Sequence, residues 1–163
     1  MALWVDSPEG KTENELQIVD LSTHKVSFLP RPPKRTWSPR WSPDGRYIVC
    51  LTNQFPDTDG LEIHDFKTNK WRVLLTEAGS GNWPSWSHDS RWIYYMGSSQ
   101  GKGNRLTIYR VSTDGGRPEL VVELPGFRGA GYDCGWIGLD PDDNPLLLRD
   151  AGTSEIYALT LER

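Results

Sequence analysis

The stretch Trp41-Ser42-Pro43-Asp44-Gly45-Arg46-Tyr47-Ile48-Val49-Cys50 limits the folds open to this chain more than any other. It reads as strand, tight turn, strand. Pro43 presets φ for a turn position, Asp44 can bond the backbone that follows it, and Gly45 tolerates positive φ. Tyr47, Ile48 and Val49 are strand formers. The pattern recurs at Trp86-Ser87-His88-Asp89-Ser90-Arg91-Trp92-Ile93-Tyr94-Tyr95. A worn copy follows at Leu139-Asp140-Pro141-Asp142-Asp143-Asn144-Pro145-Leu146-Leu147-Leu148.

A second strand keeps the same period, at Ile18-Val19-Asp20-Leu21, Ile63-His64-Asp65-Phe66, Ile108-Tyr109-Arg110-Val111 and Ile156-Tyr157-Ala158-Leu159. Its isoleucines are 45, 45 and 48 residues apart. Four short strands in a period of about 40–45 residues are the mark of β-propeller blades. The expected fold is therefore all-β, built of about three and a half four-stranded antiparallel blades.

With strands a to d running outward from the channel, the first unit (1–30) holds b at 3–5, c at 16–21 and d at 26–29, and lacks a. The second (31–77) holds a at 37–41, b at 47–52, c at 61–66 and d at 71–75. The third (78–125) holds a at 83–86, b at 92–96, c at 106–111 and d at 120–124. The fourth (126–163) holds a at 136–139, b at 146–149 and c at 155–161, and lacks d. No stretch free of Gly and Pro keeps a helical apolar pattern. A propeller hides its edges when its first and last blades complete each other. These two end units do not, so the chain is expected to be the C-terminal part of a larger propeller, or a piece needing a partner. Alone, it is expected to self-associate through open blade edges. A closed four-bladed form is the less favoured alternative.

Net charge is −4 with both signs mixed along 163 residues, which argues against nucleic acid as a partner. No apolar run approaches the ~20 residues of a membrane span. The start has neither the basic nor the apolar region of a signal peptide. Cys50 and Cys134 fall in different units and read as buried, unpaired thiols, with a disulfide or metal pair as the minor alternative.

Trp41-Ser42-Pro43-Asp44-Gly45-Arg46 with Ile48, preceded by Pro39, resembles the repeat of TolB-type, WD-like bacterial β-propellers. Residues 84–93 look like a second copy, with His88 for proline and Ser90 for glycine. The third copy has Leu139 for tryptophan and Asp143 for glycine. The tail from Leu139 to Leu161 is similar to the C-terminal end of bacterial multidomain sensors, in which a winged-helix regulator or a Ser/Thr kinase is linked to such a propeller. No residue here carries over a kinase or DNA-reading activity. The resemblance implies a sensory or protein-contact part, periplasmic if the whole protein is a membrane-anchored sensor and cytoplasmic otherwise. Similar propellers cap prolyl-oligopeptidase-type peptidases, but no Gly-x-Ser-x-Gly nucleophile elbow is present.

The chemistry-bearing residues do not assemble into a catalytic pattern. His24 falls in a c–d turn, His64 in a strand, and His88 in place of a turn proline; their spacing suggests neither a triad nor a metal pair. Asp57-Thr58-Asp59-Gly60 opens like a calcium loop, but Glu62 comes too soon for the closing ligand, and a hairpin turn is expected. Asp140, Asp142 and Asp143 are dense in carboxylate, with Asp142 expected to bond the turn backbone. The glycines in 126–135 and 97–104 open no helix and cradle no phosphate. Arg31-Pro32-Pro33-Lys34-Arg35 reads as a solvated connection or a contact for an acidic partner. No cofactor and no metal are expected. In a propeller the d–a and b–c loops share one face, which collects Arg35, Trp37, Asn82, Trp83, Arg128 and Tyr132 around one opening. There they could hold a ligand or partner, although each also has a plain packing role. The expected function is a non-enzymatic binding or sensory module for a protein or small ligand. The alternative is an accessory propeller of a peptidase or lyase whose catalytic part lies elsewhere.

Overall fold

The computed structural model describes residues 2–5, 15–30, 35–54, 58–79, 82–98, 106–130 and 136–152. Among them thirteen strands form four antiparallel sheets, and there is no helix. The first sheet is β1 (Ala2–Val5), β2 (Glu15–Val19) and β3 (Val26–Phe28). The second is β4 (Arg35–Trp41), β5 (Tyr47–Gln54), β6 (Thr58–Asp65) and β7 (Lys70–Gly79). The third is β8 (Asn82–Trp86), β9 (Trp92–Ser98), β10 (Leu106–Ser112) and β11 (Glu119–Leu124). The fourth is β12 (Trp136–Leu139) and β13 (Pro145–Leu147). Each sheet keeps chain order from one edge to the other. The first strands of successive sheets stand side by side, β4 against β8 and β8 against β12. This is the radial order of propeller blades. The expected strand at 155–161 lies outside the described residues.

The sheets stack through the two-residue alternation of their strands. On β5 and β6, Val49, Leu51, Leu61 and Ile63 face the third sheet and close a core with Trp86, Ile93, Tyr95 and Val111. Ile48 and Cys50 face the other way, onto Leu16. Tyr94, Met96 and Ile108 meet Trp136 of the fourth sheet. Removing each such aliphatic side chain from water is worth roughly 1.5–3 kcal/mol. Indole N–H groups add directed bonds to the preceding sheet. Trp71 Nε1 donates to the Pro30 carbonyl (2.7 Å), Trp86 Nε1 to that of Arg40 (3.0 Å), and Trp136 Nε1 to that of Trp83 (2.8 Å).

The repeated turn has one design in two copies. Ser42 Oγ accepts from Tyr47 N (2.8 Å) and donates to Asp44 Oδ1 (2.5 Å), which accepts from Arg46 N (3.0 Å). Ser87, Asp89, Trp92 and Arg91 repeat these bonds at 2.9, 2.7 and 3.0 Å. The third copy corrects the expectation for Asp142. There Asp140 stands where the others have serine, and its carboxylate accepts from Asp142 N (2.9 Å) and Asn144 N (2.8 Å). One carboxylate thus replaces a hydroxyl–carboxylate pair, so Asp140 closes this turn.

The residues by which the second and third copies differ from the first join the blades. Gly45, Ser90 and Asp143 share one left-handed position, with φ of 73°, 60° and 62°. Ser90 Oγ accepts from Asp44 N of the preceding turn (3.1 Å), and Asp143 Oδ1 accepts from His88 N (3.0 Å). A side chain at the strained position of one blade therefore ties down the turn before it.

The segment Asp57-Thr58-Asp59-Gly60 differs from the expected hairpin loop. Asp57 lies outside the described residues. Thr58, Asp59 and Gly60 extend β6 and pair with Gln54, Asn53 and Thr52. The ladder continues to the hairpin, and Gly60 lies so close to β7 that a Cβ there would sit 2.7 Å from the Leu75 carbonyl oxygen.

Candidate ligand-facing strands

The innermost strands owe their shape to a bulge that the prolines mark. In β4 the register shifts between Trp37 and Arg40, and in β8 between Asn82 and Ser85. Pro39 and Pro84 fall within these interruptions, where no ladder bond needs their missing N–H. Ser38 and Trp83 precede them with φ of 53° and 51°. Trp37 pairs with Leu51 and Asn82 with Met96, each just before the left-handed residue. Trp37 is therefore the counterpart of Asn82, and Trp83 of Ser38. Both tryptophans open the strand a expected from the sequence, but the ladder sets them one residue out of step.

That offset separates them. Half-buried Trp37 packs on the core between the second and third sheets, and Trp83 on the core between the third and fourth. The Arg40 guanidinium lies over the Trp83 ring, 5.4 Å from its centroid, while the Trp83 carbonyl takes the Trp136 N–H. Trp83 is thus held by three sheets at once, and Arg40 beside it is exposed. Sequence reasoning missed Arg40. The available signal was its place on the innermost strand, one residue before the repeat tryptophan.

Arg35 and Asn82 are the first residues of β4 and β8. Arg128 stands exposed beside the end of β13, where its carbonyl accepts from Asp150 N (2.8 Å) and its Nη2 donates to Asp150 Oδ2 (2.9 Å). Backbone N–H of Gly152 and then the Arg128 guanidinium hold the Asp150 carboxyl below its usual range. Among the described residues no hydrogen bond, ion pair or ring contact joins Trp37, Trp83 and Arg128 to one another. Tyr132 lies outside the described residues.

Elsewhere the structure brings together His88 and Asp143, whose Nδ1 and Oδ1 are 2.7 Å apart. Because the same oxygen accepts His88 N, the pair works as a joint between turns. No serine, threonine or cysteine side chain is bonded to His88 among the described residues. Cys50 is free and buried, and burial, then the charge of Glu62, pushes its thiol far above the usual range. Cys134 lies outside the described residues. Among the described residues no three His, Cys, Asp or Glu side chains are grouped to hold a metal ion. No helix among them is long and apolar enough to cross a membrane.

No protein-family model matches the chain. A segment of 77 residues is 31% identical to the Tol-Pal system protein TolB of Alcanivorax borkumensis, covering 47% of this chain and 18% of that protein. The β-propeller domain of the Trilobed protease from Pyrococcus furiosus matches with a TM-score of 0.58 at 23% identity, over 81% of this chain and 42% of that one. A prolyl endopeptidase matches with a TM-score of 0.61 at 18% identity, over 84% of this chain and 23% of that one. The chain thus spans less than half the length of each. The fold is a β-propeller, similar to TolB and to the propeller domains of peptidases.

Proposed function

We propose that the chain is a non-catalytic propeller segment of a larger regulator, presenting its inner strands and their loops to a protein or small ligand. The observation that carries this reading is Arg40 stacked on Trp83. A ring and a cation held in place by three sheets are a pre-organised anchor, and Trp and Arg are the side chains that most often dominate binding energy. Arg35, Trp37, Asn82, Arg128 and Tyr132 would make up the rest of the face. The sensory role rests only on the resemblance read in the sequence of the tail; the matches are to TolB and to peptidases.

The test is quantitative crosslinked capture with the purified chain, comparing Trp83→Ala and Arg128→Glu with His24→Ala in a distant turn. The expected result is a bound species reduced at least tenfold by the first two and unchanged by the third. Turnover of a peptide or ester substrate that disappears on substitution within this chain would overturn the reading. The two peptidase-propeller matches favour a second reading, an accessory domain of a peptidase or lyase. The coding sequence next to this segment separates them. A hydrolase domain supports the second; a kinase or winged helix with a membrane span supports the first.

A further inference from the structure

His64 stands apart from the ligand-facing strands. It is fully buried on β6, on the face that covers the first sheet. Its ring meets Phe66 edge-on at 4.9 Å and Trp71 tilted at 5.1 Å. Trp41 stacks on Phe66 at 4.7 Å. Neither nitrogen of His64 has a hydrogen-bond partner, and neither does the buried Trp41 Nε1. Leu16, Ile18 and Leu29 of the first sheet pack onto the same cluster with Ile48 and Cys50.

Packing alone does not call for an imidazole here. In the third sheet the same place is held by buried Val111, which pairs with Ile93 as His64 pairs with Ile48. The titratable groups on the His64 face are Glu62 of β6 and Cys50 of β5. Asp65, on the opposite face, is engaged by Arg46 at 3.0 Å and by Lys67 N at 2.8 Å. From the first sheet the cluster receives apolar side chains, while Asp20, His24 and Lys25 lie in its exposed turn. An imidazolium at this site would carry two N–H donors into a buried cage of aromatic and aliphatic side chains, and the Asn69 side chain offsets only part of that cost.

We propose that His64 makes the joint between the first and second sheets acid-labile: protonation of its ring opens this joint and uncovers the β5–β6 face, while the joints among the second, third and fourth sheets hold. Burial keeps the ring below the usual histidine range, with smaller opposing pulls from Asn69 and Asp65. The closed joint therefore binds the proton less well than the open one. Its stability is complete above the unperturbed histidine value of about 6.5 and falls as pH drops below it, by up to about tenfold per pH unit.

Amide hydrogen exchange on the whole chain at pH 7.5 and 5.5, corrected for intrinsic rates, tests this. Protection of β2 and of Glu62 to His64 should fall up to about tenfold at the lower pH, while protection of β9 and β10 stays constant. His64→Val, which copies the third sheet, should remove the difference, and His88→Ala should leave it. An acid loss shared equally by all sheets, or one that survives His64→Val, overturns the proposal. If that variant does not fold, NMR titration of His64 in the unaltered chain decides. Titration at about 6.5 with β2 still protected refutes it; loss of β2 protection in step with His64 protonation supports it.

Discussion

Gly45 offers a clean separation of backbone strain from steric crowding. Its φ is 73°, and a Cβ built there has no atom within 4 Å. Any loss on substitution is therefore conformational. The left-handed region costs an ordinary residue about 1–2 kcal/mol, with β-branched residues at the upper end and asparagine the most tolerant. Ser90 and Asp143 hold the equivalent position with φ of 60° and 62°, so the turn accepts a side chain that can adopt this backbone. Gly45→Val should destabilise by about 2 kcal/mol, which lowers Tm by roughly 4–8 °C in a chain of this size. Gly45→Asn should cost well under 1 kcal/mol. Urea unfolding of both variants with an unchanged m-value reads the difference directly. Equal losses for Val and Asn, or none for Val, would refute the argument, because nothing but the backbone distinguishes the two at this site.

Gly60→Ala should cost about 1–3 kcal/mol in the same assay, since its Cβ would meet the Leu75 carbonyl oxygen at 2.7 Å and backbone must move; unchanged stability would contradict the close approach of β6 and β7. The Asp20 carboxyl, held at about 2 by the Ser22 hydroxyl and then by the N–H groups of Thr23 and Ser22, should titrate there by NMR, and Ser22→Ala should raise it. Because the folded value is depressed, its contribution is complete above the ordinary carboxylate range and is lost as pH falls towards 2. Cys50 should resist alkylation at pH 8 in a Cys134→Ser background until the chain unfolds, being buried with its thiol pushed up. Ile63→Ala, at the fully buried centre of the second sheet, should cost about 2–5 kcal/mol by urea unfolding.

Local rules made most of the architecture legible. Period-two apolar runs, the Ser-x-Asp turn and the 45-residue spacing are short-range signals, and they mark strands, turns and blades without reference to distant chain. The prolines at 39 and 84 were visible too, but as family marks; their meaning as bulge positions needed the observed register. The 45-residue period that joins Trp41 to Trp86 also matches Trp37 to Asn82, and the one-residue offset of Trp83 puts it on a different core from Trp37.

The candidate face was harder to read for the same reason. Arg40 on Trp83, Asp143 under His88 and Ser90 under Asp44 are contacts between residues more than 40 positions apart, each made where two blades meet. His64 is the sharpest case. Its sequence neighbours mark it as a strand residue, and the alternation marks its face. Only the first sheet, arriving from residues 16–29, turns that face into a fully buried interior. Sequence alone determined the repeat, because turn and strand preferences act within a few residues. The tertiary structure decided which polar groups are buried, and so which can respond to a ligand or a proton, because burial is a property of the joint between blades and no single blade encodes it.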